Sequence, residues 1–309
     1  MHKLKYLLTI AIIFALTCGY TSCSEDDDKG DTPNTSQSQN GSNTSSSENQ
    51  TSSDNNGSTT TDNNGTKNND NQDEKLTVPE DCISGVFSVS ANKKVFFSKG
   101  NLQYDANNQK FQFAEHQWDI IGENGANISE TGIRDLFAFA TWLEGGNPMV
   151  SNTSTSNLNW DDTKSSVIGA DWHTLSNDEW AYLINRKESY GIAEVNGVKG
   201  LVLLPDNFTL PAGITFNTSV ATKYSETAFK DINDISSTDW DKMEKAGAVF
   251  LPAAGDRTNY STSDEIGNYW SSTEKDSENA YYFKFAWWEP QTSNFKKFLG
   301  HSVRLVKVL

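Results

Sequence analysis

Cysteine is scarce in this 309-residue chain, which holds only Cys18, Cys23 and Cys82. The first two belong to an apolar N-terminal stretch and its exit, so Cys82 is the one thiol in the aromatic-rich remainder. That excludes a disulfide within the remainder, whose fold must be held by its core alone. Cys82 itself reads as a small buried hydrophobe rather than a nucleophile. Histidine is scarce too: beyond His2 in the leader, His116, His173 and His301 stand 57 and 128 residues apart, with no His-x-x-x-His pair. Such spacing points to structural or surface histidines and to no metal centre. Runs of Lys and Arg are missing and the net charge is −16, which argues against nucleic acid and anionic membrane as partners. No apolar run reaches the roughly 20 residues of a membrane-spanning helix.

The widest gap is compositional. Ser24 to Lys75 contains no aliphatic, aromatic or cysteine residue, only Ser, Thr, Asn, Gly, Asp, Gln and a few others, with eleven acids against three lysines. Nothing there offsets the entropy of ordering a chain, so the expectation is a disordered tether over 23–77. A coil of about 50 such residues spans roughly 40 Å.

Ahead of that tether, Lys3 and Lys5 precede the apolar run Tyr6-Leu7-Leu8-Thr9-Ile10-Ala11-Ile12-Ile13-Phe14-Ala15-Leu16. The run has the length of a signal-peptide core. Tyr20-Thr21-Ser22-Cys23 resembles the lipobox of bacterial lipoproteins, and Ser24-Glu25-Asp26-Asp27-Asp28 resembles the surface-export signal of Bacteroidota lipoproteins. The expectation is a signal peptide over 1–22 and lipidation at Cys23. The acylated protein would be held at the outer membrane by its lipid alone and exposed at the cell surface.

Residues 78–309 carry aromatics throughout and no second linker, so they read as one domain. Gly85-Val86-Phe87-Ser88-Val89-Ser90, Lys94-Val95-Phe96-Phe97-Ser98 and Lys110-Phe111-Gln112-Phe113 are strand-like and separated by turns at 91–93 and 105–108. Ser176-Asn177-Asp178-Glu179 is a capping box that opens a helix bearing Trp180, Leu183 and Ile184. Ser236 begins a second helix bearing Trp240 and Met243, and Gly247 stops it. Later strands are expected at Ala248 to Pro252, Tyr269 to Ser272, Ala280 to Phe285 and Ser302 to Val306. Two helices among many short strands predict an α+β domain.

Several phrases occur in order: Lys94-Val95-Phe96-Phe97-Ser98-Lys99-Gly100-Asn101-Leu102-Gln103-Tyr104, Trp172-His173-Thr174-Leu175-Ser176-Asn177-Asp178-Glu179-Trp180, Val249-Phe250-Leu251-Pro252-Ala253-Ala254-Gly255, Tyr269-Trp270-Ser271-Ser272-Thr273 and Gly300-His301-Ser302-Val303-Arg304-Leu305-Val306. Together they resemble the major paralogous (FISUMP-type) domain of Bacteroidota lipoproteins, which is similar to the formylglycine-generating-enzyme branch of the C-type lectin fold. The resemblance implies a C-type-lectin-like domain with two main helices, short antiparallel strands and neighbouring termini. It also implies long loop insertions, of which 145–171 would be one. Trp180 and Trp270 would be core aromatics. Arg304, in an apolar closing strand, would be structural, its fork satisfied by a carboxylate or backbone carbonyls.

Formylglycine generation needs paired redox cysteines, which this domain lacks. Glu289-Pro290-Gln291 resembles part of a lectin calcium loop but sits after the place where that loop belongs. Asp161-Asp162 and Asp239/Asp241 match no EF-type spacing. No cofactor and no metal are therefore expected. Ala286-Trp287-Trp288-Glu289-Pro290 reads as a loop between the terminal strands, where adjacent tryptophans cannot share one face. Trp287, Trp288, Tyr281 and Tyr282 are the candidate ligand contacts, each pair placing one ring inward and one outward. The expected function is non-catalytic binding of a glycan or protein ligand at the cell surface. The alternatives are a divergent hydrolase or modifying enzyme, or a structural subunit of a surface appendage.

Overall fold

The alternation of Ile83, Gly85 and Phe87 inward sets the first strand, β1 (Cys82–Ser88), which pairs antiparallel with β2 (Lys94–Ser98). The computed structural model describes residues 76–121, 132–140, 169, 171–218, 232–257, 262–263, 266–286 and 290–309. In β3 (Leu102–Asp105) the final carboxylate accepts from the N–H groups of Asn107 and Asn108 at 3.0 and 3.2 Å. That turn returns the chain as β4 (Lys110–Phe113), and β5 (Ile133–Arg134) takes the other edge of β3.

After β6 (His173–Thr174) comes α1 (Asn177–Ile184). The Glu179 N–H donates to the Ser176 hydroxyl at 3.2 Å, and the Ser176 N–H donates to the Glu179 carboxylate at 2.8 Å. The capping box read from the sequence is therefore formed. Strands β7 (Tyr190–Val195) and β8 (Val198–Leu203) form a hairpin whose turn residues, Asn196 and Gly197, have φ of 49° and 79°. The short β9 (Asn233–Ile235) lies parallel to β7. Helix α2 (Ser237–Lys245) buries Trp240 and Met243, and Gly247, at φ 98°, ends it by donating to the Glu244 carbonyl at 2.8 Å. The fully buried β10 (Val249–Pro252) then pairs with β8.

The rest of the described chain is strand: β11 (Asp256–Arg257), β12 (Thr262–Ser263), β13 (Gly267–Glu274), β14 (Asn279–Phe285), β15 (Gln291–Lys296) and β16 (Leu305–Val308). The last strand inserts between β2 and β6, giving the sheet order β1-β2-β16-β6. The two ends of the domain thus meet in one sheet. The remaining sheets run β10-β8-β7-β9, β13-β14-β15, β4-β3-β5 and β11-β12.

The β13-β14-β15 meander packs through its first two strands. Adjacent residues of a strand point to opposite faces, and both faces of β13 and β14 contribute to cores, whereas β15 is partly exposed, Phe295 most of all. Tyr269, Phe283 and Phe285 join one core with Trp180, whose ring stacks on Phe283 at 4.7 Å. Trp270 and Ala280 join a second core with Phe137, Phe139 and Val303, and Tyr282 packs against it. A third core lies around Trp240, Met243 and Phe250. Gly267 has no room for a side chain, because a Cβ there would stand 2.0 Å from the Phe285 ring.

The expected α+β, C-type-lectin-like layout with two main helices does not hold. The helices are only eight and nine residues long, and small, almost wholly antiparallel sheets carry the structure, which is mostly β. The helix signals were local caps, each enough for two turns. The stretch 291–296, which has no strand signal of its own, became a strand by pairing with β14, while 190–203 folds back on itself as a hairpin. The terminal strands are accordingly joined through a further strand, β15, not by a loop alone. The expected insertion at 145–171 lies outside the described residues except for 169 and 171.

Candidate functional site

The second core has a polar border where β11, β14 and the 300–302 segment meet. Arg257 and Gly300 form an antiparallel bridge with reciprocal N–H to carbonyl bonds of 2.8 and 2.9 Å. The Arg257 side chain runs over the Gly300 α-carbon, since a Cβ on Gly300 would lie 2.7 Å from both its Cβ and its Nε. Gly300 is thus required by close approach. The next residue, His301, bridges Phe137, and its imidazole is wedged between Trp270 and Tyr282 with ring centroids at 4.3 and 4.7 Å. Trp270 is pinned by its Nε1–H donating to the Phe137 carbonyl at 2.7 Å.

The electrostatics of this border are unbalanced. Arg257 is 1% exposed, yet its Nε and Nη2 have no hydrogen-bond partner. Burial and the like charge of the buried Arg134 bring its pKa down to about 10. Neither ring nitrogen of His301 has a partner at good hydrogen-bond geometry, and burial, only partly offset by the Gly300 backbone and aided by the Arg257 charge, drops the imidazole to about 3. His301 is therefore neutral at any physiological pH. Burial pushes the Asp256 carboxyl up, and that charge in turn helps raise the Tyr282 hydroxyl, whose largest cause is its own burial. Burial is the leading cause of every one of these shifts. No similar group of His, Cys, Asp and Glu able to hold a metal occurs among the described residues.

The sequence-predicted residues fall as follows. Tyr281 and Tyr282 are both half-buried, on opposite faces of β14; Tyr281 lies opposite Asn294 and Tyr282 between Trp270 and Ser293. Neither is the freely exposed member that alternation alone would give, because both faces of β14 contribute to cores. Cys23, Trp287 and Trp288 lie outside the described residues. Trp180 and Trp270 are fully buried in the first and second cores. Arg304, also fully buried, precedes β16 instead of lying in it. Its Nη2 donates to the Gln117 side-chain oxygen at 2.5 Å, and its Nη1 donates to the Phe250 carbonyl and Asn101 side chain at 3.3 and 3.4 Å. Carbonyl oxygens, not a carboxylate, hold that fork.

Sequence reasoning missed Arg257, Arg134 and the role of His301. Gly300-His301 stood within a motif, but nothing local in Gly255-Asp256-Arg257 announces burial, which is imposed by pairing with Gly300. A separate open groove of about 600 Å³ runs between Tyr182 of α1 and Pro290, Gln291 and Thr292. Compared with protein-family models, curated proteins and solved structures, the chain matches none.

Proposed function

We propose that this protein is a lipoprotein, acylated at Cys23 and held at the outer membrane. On this reading the tether 23–77 carries the 78–309 domain to the cell surface, where it binds a glycan or protein ligand without chemical turnover. The leader, the cysteine and the acidic run behind it support the anchor. One observation carries the binding reading: the half-buried Tyr282 lies against His301 and Trp270, beside the hydrogen-bonding edge that Arg257 leaves without a partner. Tyr282 is the partly exposed ring of this group, and a partly exposed aromatic backed by a buried aromatic cluster is a usual anchor of a recognition site. Tyr281, on the opposite face of β14, and Trp287 and Trp288, which lie outside the described residues, are further candidate contacts on the sequence reading alone.

The anchor is tested by Cys23→Ala, which should move the protein from the membrane fraction to the soluble one; unchanged fractionation refutes it. For recognition, the full chain in detergent is applied to glycan and host-protein arrays beside Tyr282→Ala. Signals confined to a few ligands and lost in the variant support the reading, and signals equal in both refute the site.

A further inference from the structure

Helix α1 carries a polar stripe at regular spacing. Asp178, Tyr182 and Asn185 stand at i, i+4 and i+7, which lines them up along one side of the helix, and all three are exposed. Trp180 and Leu183 take the other side and are buried. At 39% exposure Tyr182 is one of two exposed Phe, Tyr or Trp residues among the described residues, Phe295 being the other. Its ring belongs to one wall of the groove of about 600 Å³ whose facing wall is Pro290, Gln291 and Thr292. That volume lies within the roughly 300–1,000 Å³ of small-molecule sites.

Both walls are held in place by the fold. The capping box fixes the start of α1, the Asn177 N–H donates to the Thr273 hydroxyl at 2.9 Å, and Trp180 stacks on Phe283. Strand β15 is paired with β14 along its whole length. Residues opposite each other in that pairing share a face, so Thr292 and Asn294 lie with Phe283 and Tyr281 on the side that α1 covers. Ser293 lies with Tyr282 on the other side. The groove and the Tyr282 ring are thus on different faces of the meander.

The polar groups of the groove suit hydroxyls. The Asn185 and Gln291 amides and the Thr292 and Tyr182 hydroxyls each donate and accept, as sugar hydroxyls do. The Asp178 carboxylate accepts only, and one of its oxygens already takes a hydrogen bond from the Asn177 side chain at 3.2 Å. Its charge, with the net charge of −16, opposes an anionic ligand. A lysine or arginine side chain brings donors alone and leaves the donors of the groove unmatched. The exposed tyrosine ring supplies a flat apolar face for the C–H side of a pyranose.

We propose that the groove between α1 and β15 binds a neutral saccharide. One sugar ring lies on Tyr182, and its hydroxyls bond Asp178, Asn185, Gln291 and Thr292. This is a second site, on the face of the meander away from Tyr282, and it does not depend on the recognition reading above.

Ligand-observed saturation-transfer NMR on the full chain in detergent tests it. Maltotriose, mannotriose and N-acetyllactosamine are the probes, with glucuronate and tetralysine as charged controls. Saturable binding of at least one neutral sugar, matched by neither control, is expected. Tyr182→Ala should weaken it by roughly tenfold or more, and Tyr182→Phe, which keeps the ring, by about threefold at most. Binding unchanged in Tyr182→Ala overturns the proposal. So does the lack of a saturable signal from all three sugars, or tighter binding of tetralysine, which would make the groove a site for cationic peptides. If Tyr182→Ala does not fold, Gln291→Ala on the facing wall takes its place: a loss of about threefold is expected, and no loss overturns the proposal. A sugar whose binding is lost in Tyr282→Ala and kept in Tyr182→Ala belongs to the other face. That result removes the groove and leaves the recognition reading standing.

Discussion

Acidification should destabilise this fold through one imidazole. His301 is fully buried between Trp270 and Tyr282, and its folded pKa is about 3 against an ordinary 6.5. The folded pKa is depressed, so between pH 6.5 and 3 the unfolded chain binds a proton that the folded chain refuses. Stability then rises with pH across that window: the neutral-ring advantage is complete above about pH 6.5 and is lost as pH falls toward 3. Each pH unit inside the window is worth about 1.4 kcal/mol, so moving from pH 6.5 to 5 costs about 2 kcal/mol. Replacing His301 with Phe keeps an aromatic ring between its neighbours and removes both the titration and two unpartnered nitrogens. Urea unfolding of native chain and variant at pH 7.5 and 5.0 isolates the effect, with the gap shifting about 2 kcal/mol in the variant's favour at pH 5. Asp256 titrates with the opposite sign: burial raises its folded pKa, so its contribution grows as pH falls and is lost as pH rises through that folded value. It is present in both chains and cancels in the difference. Equal pH dependence of the two chains, or a folded imidazole titrating near pH 6.5 by NMR, would refute the reasoning.

Two further perturbations separate the cores and the cofactor question. The indole N–H of Trp180 has no partner, whereas that of Trp270 donates to the Phe137 carbonyl, so Trp270→Phe should cost about 1 kcal/mol more than Trp180→Phe in urea unfolding; either tryptophan replaced by Ala should cost about 3–5 kcal/mol. Melts with a chelator or a reductant should superimpose on the untreated melt, since the core alone is expected to hold the fold; a large downward shift with chelator would bring calcium back.

Much of the strand and helix pattern was legible where the signal is local. Ser176 and Glu179 announce α1 through their own hydrogen bonds, Gly247 ends α2 by its positive φ, and the Asp105 turn forms between near neighbours. The β7–β8 hairpin had a readable signal as well, the Asn196-Gly197 pair, which outweighs the lack of clean alternation around it. β15 had none: Gln-Thr-Ser-Asn-Phe-Lys is a strand because β14 offers it an edge. The architecture depends on such pairings, which is why two correct helix starts led to the wrong layout. The polar border was the least legible. His301 and Arg257 lie far apart in sequence, and only the Arg257–Gly300 bridge makes a buried, unmatched guanidinium out of an ordinary arginine.

The central proposal is that ligand recognition centres on Tyr282, the partly exposed ring that lies against His301 and Trp270. The most direct measurement is the dissociation constant of the array-selected ligand for the full chain and for Tyr282→Ala, with both confirmed folded by their unfolding curves. A buried aromatic contact at the centre of an interface is worth about 2 kcal/mol or more. The expected result is weakening by roughly thirtyfold. Equal affinity for a variant that remains folded would contradict the account and move the binding site away from this hairpin.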